Sequence, residues 1–102
     1  MSLTGKQRAD LRAEAHHLQP LVHVGHQGLT ETVRQAIDDA LRTRELVKLT
    51  IAKHAELSAK DAATELGVAV RAEVIQVIGR TVTLFRHNPD IKQRADGIPP
   101  WR

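Results

Sequence analysis

The sequence predicts an α/β fold: a single compact domain in the order α-β-α-β-α-β-β, with a four-stranded mixed sheet packed with three helices. Three observations lead there. Segments with apolar residues at helical spacing alternate with short runs rich in Val, Ile and Thr. Helical crossovers force the first three strands to run parallel if they share one sheet. Two β-rich runs around Gly79-Arg80 read as a hairpin, which adds an antiparallel fourth strand. A chain of 102 residues suits one small domain, and its apolar content is carried by Ala, Val, Leu and Ile, with Phe85 and Trp101 the only Phe, Tyr or Trp residues.

Taken in order, Thr4 caps a first helix from about Gly5 to His17, on which Leu11, Ala15 and Leu18 share one face. Arg8, Arg12 and His16 form a neighbouring stripe, with Asp10 and Glu14 elsewhere on the helix, so the stripe forgoes internal i, i+4 ion pairs. Pro20 closes that helix and opens "LVHVG", a short strand. Thr30 caps a second helix whose apolar face is Leu29, Val33, Ile37, Ala40 and Leu41. Its opposite face reads Arg34, Asp38, Arg42, a ladder of alternating charge. "ELVKLTIA" is the next strand, with Val47, Leu49 and Ile51 on one side and Lys48 and Thr50 on the other. Ser58 caps a third helix that Gly67 ends, and Ala59, Ala62, Ala63 and Leu66 form its buried stripe. The hairpin follows. The last stretch, "HNPDIKQRADGIPPWR", has three prolines and no periodicity, so residues 87–102 read as a flexible basic tail on a domain of residues 1–86.

Composition narrows the function classes. Without cysteine there are no disulfides and no thiolate metal sites. No apolar run approaches the roughly 20 residues that span a bilayer, and the N-terminus lacks the apolar stretch of a secretory signal, so a cytoplasmic protein with no membrane partner is expected. The net charge of +3 and pI near 9.8 favour a phosphate-rich partner without establishing one.

The stretch with most chemical content is "HVGHQGLTETV". Gly25-His26-Gln27-Gly28 follows a strand and precedes a helix start at Thr30. Glycines let backbone approach a ligand closely, and the unpaired N–H groups of a helix start favour an anion. On spacing alone a plain strand-to-helix turn is the simpler reading, with a phosphate cradle as its competitor. Neither a P-loop nor a dinucleotide fingerprint is present. His16, His17, His23 and His26 are clustered in sequence, but adjacent helical histidines point about 100° apart, and no metal site is expected. Serine is scarce, no glycine elbow marks a nucleophile, and Asp38-Asp39 lie on a polar helix face, so neither catalysis nor a small-molecule substrate is expected. Arg8, Arg12, His16, Arg34 and Lys48 would extend the loop's anion site if the first helix packs near the end of the sheet that carries the glycines. The scarcity of aromatic rings favours recognition by shape and backbone over base stacking.

Several motifs occur together: Lys6-Gln7, Ala15-His16, Leu18-x-Pro20, Gly25-x-x-Gly28-Leu29, Glu45-Leu46-x-Lys48, and Ile78-Gly79 through Arg86. In this order and spacing, over residues 3 to 86, the chain resembles the YhbY family, the bacterial stand-alone form of the chloroplast RNA splicing and ribosome maturation (CRM) domain. The resemblance implies a fold similar to the C-terminal domain of translation initiation factor three. It also implies an RNA-binding protein that associates with ribosomal RNA in large-subunit precursors and assists their assembly; a non-catalytic monomer without cofactor is expected. The implied RNA contact is Gly25, His26, Gln27 and Gly28; from the residues themselves, the helix start at Thr30 is expected to complete the cradle, with Lys6, Arg8, Arg12, His16, Arg34 and Lys48 as flanking cations. Two positions depart from the family pattern. His26-Gln27 stands where basic or small polar residues are common, so charge must come from neighbours, and His26 can add pH sensitivity. Phe85 stands where Tyr is common, which points to packing. The alternative is a protein-interaction module acting on the ribosome or a translation factor through the open sheet face or the tail.

Overall fold

A computed structural model describes residues 3–91. The seven elements appear in the expected order: α1 (Gly5–Ala15), β1 (Val22–Val24), α2 (Glu31–Arg44), β2 (Leu46–Ile51), α3 (Ala59–Ala69), β3 (Glu73–Ile78) and β4 (Thr81–Phe85). The three anticipated caps form. Thr4 and Gln7 make a reciprocal capping box at α1, with N···O distances of 2.9 and 3.0 Å. Thr30 Oγ1 accepts from the Val33 N–H at 3.2 Å, and Ser58 Oγ from the Asp61 N–H at 3.1 Å.

The four strands form one mixed sheet in the order β1-β2-β4-β3. β1 and β2 are parallel, with Val22 opposite Leu49 and Val24 opposite Ile51. β4 is antiparallel to both β2 and β3, so β3 runs in the same direction as β1 and β2. The first three strands are therefore codirectional as expected, but β4 lies between β2 and β3. The C-terminal ends of β1, β2 and β3 gather at one end of the sheet, which positions the site described below.

Alternation along the strands sorts the core into two layers. Val47, Leu49 and Ile51 of β2 and Val82 and Leu84 of β4 pack with Ile37 and Leu41 of α2 and with Ala62, Ala63 and Leu66 of α3. The opposite face carries Leu46 and Phe85, which with Ile75 pack on Leu11 and Ala15 of α1. Phe85 is buried, in keeping with a packing role. α1 thus covers the sheet at the end where Leu46 pairs with Phe85, and Phe85 with Glu73. Burying each of these larger side chains contributes about 1.5–3 kcal/mol, which is why three short helical stripes suffice to fix both layers.

Three expectations are corrected. Gly67 does not end α3, which continues to Ala69. A Cβ there would lie 3.3 Å from the Ala72 carbonyl oxygen and 3.4 Å from a Val74 methyl, so the glycine serves the close approach of helix to β3. The stop comes from Arg71 at φ 55°, with Ala72 N–H bonded to Gly67 O and Arg71 N–H to Val68 O, a Schellman closure without glycine at its left-handed position. The Arg34–Asp38–Arg42 ladder does not form. Asp38 instead accepts from Arg86 at 2.7 Å, and Arg42 pairs with Asp39 at 2.7 Å, because Arg86 at the end of β4 also reaches the Asp38 and Val70 carbonyls. α1 ends at Ala15, with His16 as its C-cap, slightly before the expected His17.

Hydrogen bonding continues past residue 86. Glu45, between α2 and β2, has φ 63° and is fully buried. Its carboxylate accepts from the Asn88 N–H at 3.0 Å and meets His87 Nδ1 at 3.0 Å, while its carbonyl accepts from the Arg86 N–H at 2.9 Å. The Asn88 amide donates to Arg42 O at 2.8 Å. The rest of the expected tail, residues 92–102 with Trp101, lies outside the described residues.

Candidate functional site

The Gly25–Gly28 loop is a tight turn at the C-terminal end of β1. Gly28 N–H bonds to Gly25 O at 3.0 Å, and Thr30 N–H to Gly28 O at 3.0 Å. Gly28 has φ 73°, a conformation that disfavours a side chain, so the turn itself needs this glycine. Gly25 differs: its φ is not positive and a Cβ would meet nothing within 4 Å. The fold does not require a glycine there, and its absent side chain leaves the loop backbone open. The amide N–H groups of His26 and Gln27 in the loop, and of Glu31 and Thr32 at the start of α2, have no backbone partner among the described residues. With the helix dipole they offer partial positive charge at an exposed tip. The Glu31 carboxylate in the same first turn opposes that charge, so the loop alone is not a strong anion site.

Two further loops lie at the same end of the sheet, because three codirectional strands end together. After β2 comes Lys53-His54, and after β3 the hairpin tip Gly79-Arg80. The ends are tied by backbone: Ala52 N–H donates to Val24 O and Ile51 N–H to Arg80 O, both at 2.8 Å. The His26 and His54 rings stack with centroids 5.9 Å apart, which places the second loop directly against the first. Lys53 and Arg80 are exposed and form no ion pair among the described residues. They border one cleft with Ser58 and Ala59 at the start of α3, where Glu56 is the acidic member.

Of the residues expected from sequence, the structure brings together Gly25, His26, Gln27, Gly28 and Thr30, with Arg34 one turn further along α2. Arg34 Nε is buried with no hydrogen-bond partner among the described residues, so that guanidinium has an unmet donor. His16 and Lys48 line one depression on the sheet face next to α1, where Lys48 Nζ donates to Leu18 O at 3.2 Å. Lys6, Arg8 and Arg12 do not join the loop. α1 packs over the Leu46–Phe85 end of the sheet, and the length of β2, about 17 Å, separates that end from the glycines. Arg8 is held there by Glu73 at 2.8 Å and the Val74 carbonyl at 3.1 Å, and Lys6 by Asp10 at 3.2 Å. The condition for convergence, α1 near the glycine end, is met only by its C-terminus at His16.

Lys53, His54 and Arg80 were not anticipated as site residues. The available signal was topological: with three parallel strands, the loops after each must share one end of the sheet. Residue-type patterns within any one loop do not show this.

The chain as a whole is similar to known proteins. Residues 3–86 match the CRS1/YhbY (CRM) domain. The chain is 37% identical over 91 residues to the probable RNA-binding protein YqeI of Bacillus subtilis (strain 168), covering 89% of this chain and 95% of that one. It is 44% identical over 86 residues to the probable RNA-binding protein MJ0652 of Methanocaldococcus jannaschii, covering 82% of this chain and 63% of the archaeal protein. The solution structure of the hypothetical protein SAV1595 from Staphylococcus aureus superposes with a TM-score of 0.71 at 33% identity, over 97% of this chain and 100% of that one.

Proposed function

The chain belongs to the CRS1/YhbY (CRM) domain family, and from that premise we propose that it is a non-catalytic RNA-binding protein that grips phosphates of ribosomal RNA with the glycine-loop end of its sheet. The observation that carries this reading is the convergence of four unpaired N–H groups with Lys53 and Arg80, two exposed cations without ion pairs among the described residues. Backbone N–H donors and point charges suit phosphate, and the His26 and His54 rings at this end stack on each other rather than standing open to a base. The printed names of the bacterial and archaeal relatives support an RNA partner, and the family resemblance supports precursors of the large ribosomal subunit as its source. Binding, with no reaction, is the whole activity in this account.

The experiment is a salt titration of affinity for a structured fragment of large-subunit ribosomal RNA, followed by fluorescence anisotropy. Lys53→Gln and Arg80→Gln should each weaken binding about three- to fivefold and flatten the log–log salt slope by about 1. Lys6→Gln should change neither, since Lys6 faces Asp10 at the other end of the molecule. A Lys6 effect that equals or exceeds those of Lys53 and Arg80 would move the interface onto α1 and overturn the reading.

A further inference from the structure

α1 leaves half of its sheet face uncovered. Beyond Leu46, Ile75 and Phe85, that face is formed by Lys48 and Thr50 of β2, Thr81 and Thr83 of β4, and Gln76 and Ile78 of β3, by the alternation and register of the strands. A depression of about 170 Å³ lies there, lined by His16, Lys48, Gln76, Ile78, Thr81 and Thr83. None of the six is acidic. Glu73 shares this face only at the end that α1 covers, where Arg8 neutralises it.

The lining has unused hydrogen-bonding capacity. Thr83 is only 2% exposed, yet its hydroxyl has no partner among the described residues. Arg34 Nε is the one side-chain polar atom among the described residues that is both sealed from solvent and unpaired, so the Thr83 hydroxyl is reached through the depression it lines, where its hydrogen-bonding capacity is open to a ligand. Neither the Gln76 amide nor the Thr81 hydroxyl makes a hydrogen bond with a described residue. Lys48 donates to Leu18 O and keeps two further ammonium protons. Ile78, 62% exposed, supplies one apolar wall. Toward the glycine loop the same face continues through His23 and Thr50, which hydrogen-bond to each other.

We propose that this depression holds the base of one unpaired RNA nucleotide, its edge read by Gln76, Thr81 and Thr83 and its phosphate met by Lys48 and His16. The proposal rests on the RNA-binding reading above and deepens it by naming an unpaired segment as the element recognised. Amide and hydroxyl groups can both donate and accept, as a base edge requires, and the cations match the backbone charge. Among the described residues no Phe, Tyr or Trp ring is exposed on this face, Phe85 being buried beneath α1, so recognition comes from hydrogen bonds along the edge and contact with Ile78. The chain's own C-terminal segment is a poorer occupant, because residues 92–102 carry Lys92, Arg94 and Arg102 against the single acid Asp96.

The test measures anisotropy with two RNA probes, a mixed-sequence single strand of ten nucleotides and a blunt duplex of sixteen base pairs. The full chain is compared with the double variant Gln76→Leu, Thr83→Val. Both replacements approximate the native side-chain size, and thermal unfolding monitors the fold. The double variant should lose about tenfold in affinity for the single strand and none for the duplex. Thr83→Val alone, the milder change, should lose part of the same selective affinity. Unchanged single-strand binding, or equal losses on both probes, would overturn the base site and leave phosphate binding at the loop intact. Failure of the unaltered chain to bind either probe would overturn the underlying RNA-binding reading and the base site with it.

Discussion

Replacing both His26 and Gln27 with aspartate is expected to lower affinity for large-subunit ribosomal RNA about a hundredfold while thermal unfolding stays unchanged. Each substitution sets a carboxylate among the unpaired N–H groups of the loop, within several ångströms of any phosphate held there. A like charge at about 6 Å costs about 1.4 kcal/mol at an effective dielectric of about 40, between that of a protein surface and water, which weakens binding by roughly a factor of ten, and two such charges compound. The fold should tolerate the change. Both side chains are exposed, the left-handed conformation falls on Gly28, and the helix cap is made by Thr30. Anisotropy on the RNA fragment and circular dichroism melting check the two halves of the expectation. A variant that melts normally and binds as tightly as the parent would remove the loop from the interface.

The second large effect concerns stability. A chain ended after Arg86 should be about 2–4 kcal/mol less stable than one ended after Ile91, by urea unfolding. The shorter chain lacks the Asn88 N–H and the His87 ring that meet the Glu45 carboxylate, a fully buried group at a backbone position with φ 63°. Burying a carboxylate that has lost two of its donors is costly in a way that losing an exposed ion pair is not. The Asn88 side chain's bond to Arg42 O would go as well. Equal stabilities would mean that Glu45 is satisfied from elsewhere in the fold. The comparison also matters for any study of the C-terminal segment: removing residues 87–102 together mixes loss of the segment with damage to the domain.

The sequence is most legible where a rule is local. Three caps, the alternation in β2, the apolar stripes of α2 and α3, and the hairpin at Gly79-Arg80 each follow from a few neighbouring residues, and each is present. It misleads where two rules compete for one residue. Gly67 fits a helix stop by type, but it is needed for the contact with Ala72 and Val74. Asp38 fits an i, i+4 partner for Arg34, but Arg86 arrives from a strand 48 residues away with two carbonyls to share. The site divides in the same way. The glycine loop and Thr30 are legible as a motif, whereas the placement of α1 over the far end of the sheet is a packing outcome. That outcome separates Lys6, Arg8 and Arg12 from the loop. Lys53, His54 and Arg80 take up the position beside it, although each looks unremarkable in its own stretch of sequence.

The central claim is that RNA meets the end of the sheet where β1, β2 and β3 terminate. The most direct measurement is amide chemical-shift mapping by NMR as the structured ribosomal RNA fragment is added. The account predicts the largest perturbations at Gly25 to Thr32, Lys53-His54 and Gly79-Arg80, with smaller ones spreading across Lys48, Gln76 and Thr83. Perturbations centred on Lys6, Arg8 and Arg12, with the three loops silent, would contradict it.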